Sequence, residues 1–131
     1  MDKLQAYDRF WQSFGIPAYD QYSVPDMVFD SNLNRMVENE PPYITYQAAT
    51  DDFNHPVALT ASIWYRDRSW AAITAKEKQI SEYIGRGGVC IPYDEGGFWL
   101  VKGSPWAQRM DDPADDMIRR IVLQVNVEFI D

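Results

Sequence analysis

The chain has 131 residues, 46% of them hydrophobic and 15% aromatic, a length that supports one hydrophobic core and not two. Twenty acidic side chains against twelve Lys and Arg give a formal net charge of -8. That balance excludes a surface built to grip DNA phosphates or anionic lipid, which needs clustered cations, yet it suits a wall past which DNA slides without adhering.

Asp2 and Gln5 have the spacing of a helix cap, and Leu4, Tyr7, Phe10, Trp11 and Phe14 follow along one predicted helical stripe that Gly15 and Pro17 end. IPAYDQYSVP places aromatic residues between two prolines and reads as a short edge strand, where a missing N–H is tolerated. Met27 to Glu40 is polar and lacks a sustained period, so it reads as a loop with room for one helical turn from Leu33 to Val37. PPYITYQAAT and VALTASIWYRD alternate as strands and form an expected antiparallel hairpin. In the second, Val57, Leu59, Ala61, Ile63 and Tyr65 share a face, and the hairpin tip holds Asp51, Asp52, Phe53, Asn54 and His55.

Thr74 and Glu77 carry capping-box spacing for a second helix with Ile80, Tyr83 and Ile84, stopped at Gly85. GVCIPYDEGGFWLV reads as a hairpin turned at Asp94-Glu95-Gly96-Gly97, with Pro92 marking an outer strand. The last strand sets Ile121, Leu123, Val125, Val127 and Phe129 against Arg120, Gln124, Asn126 and Glu128. The expectation is one α+β domain over residues 1–131: an antiparallel or mixed sheet with two main helices packed on one face.

Chemistry is sparse. The only cysteine, Cys90, excludes an intramolecular disulfide framework and a cysteine-built zinc site, points to a reducing compartment, and reads as an inert thiol buried in its strand. MDKLQAYDRFWQSF has no apolar run like a signal peptide, and no stretch nears the ~20 apolar residues of a membrane span, so a soluble, non-exported protein is expected. His55 sits in a polar turn before Pro56, a poor place to hold a base. Neither Gly87-Gly88 nor Gly96-Gly97 has phosphate-loop spacing.

The cluster Asp111, Asp112, Asp115 and Asp116 lacks the alternate ligands, central glycine and distal Glu of a calcium loop. It reads as a turn feeding the last strand, with Arg119 and Arg120 as pairing partners in the same or an adjacent subunit. A weak surface site for a hydrated divalent ion stays open beside that reading. No catalytic, cofactor or metal residue is assigned.

The order of elements resembles the tail terminator proteins of long-tailed, non-contractile bacteriophages, also called tail completion or tail-to-head joining proteins. The likeness rests on the long hairpin from Pro42 to Asp67, the helix TAKEKQISEYIG after it and the final strand ending VNVEFID. It is a likeness of pattern over nearly the whole chain, and the polar insertion from Phe29 to Glu40 departs from it.

The resemblance implies a non-enzymatic virion protein without a cofactor. Such a protein forms a homohexameric ring on the head-proximal end of the tail tube, stops tube growth, meets the major tail tube protein and a head completion or connector protein, and lets DNA pass through its lumen. Asp51, Asp52, Phe53, Arg66, Arg68, Asp111, Asp112, Asp115, Asp116, Arg119 and Arg120 are then the expected subunit contacts.

Two other classes fit the residues. One is a ligand-binding domain or small enzyme with Trp64, Tyr65 and Trp99 lining a pocket and Asp51 or His55 as acid or base. The other is an acidic inhibitor or immunity-like module that binds a cationic partner.

Overall fold

The computed structural model describes residues 1–48, 55–110 and 114–130. Helix α1 (Lys3–Gln12) opens on the expected reciprocal cap, in which the Asp2 carboxylate accepts the Gln5 amide at 2.8 Å and the Gln5 side chain accepts the Asp2 amide at 3.0 Å. Its inward stripe is Ala6, Tyr7, Phe10 and Trp11, continued by Phe14 beyond the helix. Leu4, expected on that stripe, is 43% exposed. At ~100° per residue it lies about a quarter turn from the stripe's centre.

Two edge strands hold α1. Gln12 bonds both the carbonyl (2.7 Å) and the amide (3.2 Å) of Ala18 in β1 (Ala18–Asp20), the short edge strand the prolines predict. At the other end, the Met1 carbonyl accepts the amide of Asp94, in the turn between β6 (Val89–Tyr93) and β7 (Gly96–Met110). Because α1 reaches both β1 and β6, the opposite edges of one sheet, that sheet curls around it.

The six strands run in the order β1, β4 (Tyr43–Tyr46), β5 (Val57–Arg66), β8 (Ile118–Ile130), β7, β6. Only β1 and β4 are parallel, so this is a mixed sheet in an α+β domain. Register aligns Ile44 with Ile63 and Ile63 with Ile121, and places Leu59 beside Val125 and Phe98 beside Phe129. The predicted inward residues of β8, Ile121, Leu123, Val125, Val127 and Phe129, are all buried. Tyr7 packs edge-on against Trp11, Tyr46 and Phe98, so the core is largely an aromatic cluster between α1 and the sheet.

Helix α2 (Ala71–Ile84) adds Ile73, Ile80 and Ile84 to the same core and ends at Gly85, whose φ of 72° suits glycine. Its start differs from expectation. The helix begins one turn before Thr74, with the Ser69 hydroxyl accepting the Ala71 amide at 3.0 Å; Thr74 lies inside the helix, and Glu77 accepts the Trp106 indole N–H at 2.6 Å. Lys76 donates to the Phe14 carbonyl at 2.6 Å and joins the two helices.

Two further expectations are corrected. Residues 27–40 are not a loop with a helical turn: β2 (Met27–Asp30) and β3 (Arg35–Glu38) form a separate antiparallel ribbon. Asp30 accepts the amides of Asn32 (2.8 Å) and Leu33 (3.2 Å), and Asn34 takes the left-handed conformation at φ 53°, which together turn the chain where a helical turn from Leu33 to Val37 would have needed Asn34 in right-handed helical conformation.

Cys90 is exposed, since its neighbours Val89 and Ile91 take the inward positions on the edge strand. Strand β7 runs past Gly103 and Pro105 to Met110. Between Lys102 and Ala107 it advances five positions against two on β8, and this bulge delivers Trp106 to Glu77.

Candidate assembly interface

The sheet's second face never enters the core. Reading across the strands, Tyr43 pairs with Trp64, Trp64 with Arg120 and Arg120 with Met110, so one line of large side chains crosses four strands. Tyr19 extends the line through a ring contact to Tyr43 at 5.8 Å.

Arg120 stacks over the Trp64 indole at 4.6 Å and donates to Ser62, while Trp64 donates to Thr45 at 2.9 Å. The guanidinium is thus held by an aromatic face and a hydroxyl, and no carboxylate pairs with it among the described residues.

At the same end of the sheet lie the other predicted arginines. Arg66 meets Asp115 at 2.9 Å, and Asp115 also accepts the Met117 amide at 2.9 Å. The Met117 amide first, and the Arg66 guanidinium after it, hold the Asp115 carboxyl below its usual range.

Among the described residues of one subunit, neither Arg119 nor Arg120 pairs with an aspartate carboxylate. Arg119 donates to the carbonyls of Arg68 (2.7 Å) and Asp116 (2.6 Å) and lies 5.3 Å from the Trp70 ring. It clamps the β5–α2 loop to the start of β8. Asp116 and Arg68 are exposed, and among the described residues the Arg68 side chain reaches the Met117 sulfur.

Asp51, Asp52, Phe53, Asp111 and Asp112 lie outside the described residues. Among the described ones, no group of three or more His, Cys, Asp or Glu is arranged to hold a metal ion. Trp64, Tyr65 and Trp99 do not line one pocket. Trp64 and Trp99 stand on the outer face, while Tyr65 packs against the core from the other side. His55 is exposed.

Sequence reasoning missed the ribbon β2–β3. Met27, Phe29 and Met36 share one of its faces with Glu38, and Leu33 sits at its tip. Phe29 is 61% exposed and Met36 53%; of the eleven exposed large apolar side chains among the described residues, five, counting Tyr22, fall between residues 22 and 36, so the patch is concentrated rather than scattered.

The ribbon's root and Tyr43 enclose an open cleft of about 580 Å³ lined by Asp26, Met27, Glu38 and Asn39, among others. A signal existed in the sequence: DSNLN is an Asx-type turn between MVFD and RMVE. It was obscured because Val28 and Val37 make the second face apolar too, which removes the period-two contrast.

No helix among the described residues is long and apolar enough to cross a membrane. The chain matches no protein-family model, no curated protein and no solved structure.

Proposed function

We propose that the chain is a structural subunit of a phage or prophage virion, a tail terminator that closes as a ring on the head-proximal end of a non-contractile tail tube. In this reading it stops tube polymerisation, offers a surface to the head completion or connector protein, and lets DNA pass an acidic lumen. Its location is the neck of the tail, and it performs no catalysis and carries no cofactor.

The observation that supports this best is the pairing of surfaces on one chain. A sheet face lined by stacked aromatic and arginine side chains and a projecting ribbon with an apolar face both stand outside the core. Groups of this kind suit contacts between protein copies better than a ligand pocket, which needs a concave site with convergent polar groups.

The test is to add the purified chain to polymerising tail tube protein and measure tube lengths by electron microscopy. Tubes capped at one end and arrested in growth are the expected result. Tubes that lengthen unchanged, with no chain bound at either end, overturn the reading.

A further inference from the structure

Charge is distributed with a direction across the outer face. On the β1–β4 side stand the ribbon and its root, where Asp26, Asp30, Glu38 and Glu40 face a single cation, Arg35, and no ion pair forms among these residues. At the start of β8 and the end of β7 stand Arg68 and Arg120, neither of them paired with a carboxylate among the described residues, beside the exposed Met110 and Asp116. Among the described residues, each side thus combines an exposed apolar side chain with charges outside any ion pair, acidic at the ribbon and cationic at Arg68 and Arg120, and the two lie across the sheet from one another.

We propose that the ribbon β2–β3 is a docking arm for a second copy of this chain. Its face of Met27, Phe29, Met36 and Glu38 receives the arginine end of the next copy's sheet, Arg68, Met110 and Arg120. Glu38 shares the ribbon's apolar face through its register with Met27, so the contact buries methionine and phenylalanine against the Trp64-stacked guanidinium while supplying it with a carboxylate.

Because the two patches differ, the contact is head-to-tail; it repeats from copy to copy and ends only when a ring closes. One ribbon face is small beside the ~800 Å² per partner of a stable interface, so each contact is weak alone and the closed ring gains from all of them. This inference rests on the ring reading and assigns its subunit contact.

The test uses the full chain with the exposed Cys90 replaced by Ser, and single cysteines at the ribbon tip (Ser31→Cys) or at the exposed sheet end (Gln108→Cys), treated with a bismaleimide. Mixed chains are expected to cross-link as dimers, neither variant alone should, and the double variant should give a ladder ending in a closed species. Arg120→Glu is expected to weaken association about tenfold or more, and mixing it with Glu38→Arg chains restores part of the loss.

Dimers from the Ser31→Cys chain alone would show a symmetric contact and overturn the proposal. Oligomers seen by light scattering without any 31–108 cross-link would overturn the arm while leaving the ring reading intact. A chain that stays monomeric with and without tail tube protein would remove both.

Discussion

Asp115 shows how one side chain of an acidic cluster is stabilised. Its carboxylate takes an amide hydrogen bond from Met117 and an ion pair from Arg66, and both favour the charged form. The folded pKa lies below the ordinary value of 3.8, so its contribution to stability is complete above that value and disappears as pH falls through the folded pKa.

Replacing Arg66 by Met removes the second cause and spares the first. A carboxyl-resolved NMR titration of the variant should place Asp115 higher than in the native chain yet still below the ordinary value. An unmoved titration would mean that the ion pair contributes nothing in solution. Asp115 is thus paired within its own subunit, and its partner is Arg66 rather than Arg119 or Arg120. That pairing was not legible in the sequence, since Arg66 and Asp115 are brought together only by the antiparallel register of β5 and β8.

At the scale of elements, the strands with one apolar face were legible and those without were not. Alternation placed β4, β5 and β8 and their inward residues, because a half-buried strand must sort its side chains by face. The ribbon β2–β3 and the second half of β7 escaped. One is apolar on both faces, and the other is interrupted by a bulge at Gly103, Ser104 and Pro105 that local sequence reads as a stop.

Helix α1 gives a direct check on the corrected stripe. Leu4→Ala should change unfolding free energy by less than ~0.5 kcal/mol, whereas Leu123→Ala in the buried centre of β8 should cost about 2–5 kcal/mol, both read from urea melts. Equal losses would return Leu4 to the core.

The entry to β6 makes a second demand. Gly88 has φ 89°, and a Cβ there would stand 2.6 Å from the Leu100 carbonyl and 2.5 Å from Val101 Cγ1. Gly88→Ala is therefore expected to destabilise by more than ~1 kcal/mol, with the β6–β7 hairpin losing hydrogen-exchange protection first. Unchanged stability and protection would show that this approach is looser in solution.

For the whole molecule, one sheet face is buried and makes the fold, while the outer face and the ribbon β2–β3 are the proposed contact surfaces. Attraction between Arg68 or Arg120 of one copy and the acidic ribbon of the next predicts that association weakens as NaCl rises, because screening removes an attraction over the ~10 Å Debye length at 0.1 M salt. Repulsion between like-charged subunits as the controlling force would give the opposite slope.

Light scattering over a dilution series, alone and with tail tube protein, measures the self-association on which the ring depends. The expected molar mass rises from the 15.2 kDa chain to a plateau at the hexamer, reached at lower concentration when the tube protein is present. A constant 15.2 kDa at every concentration in both conditions would contradict it.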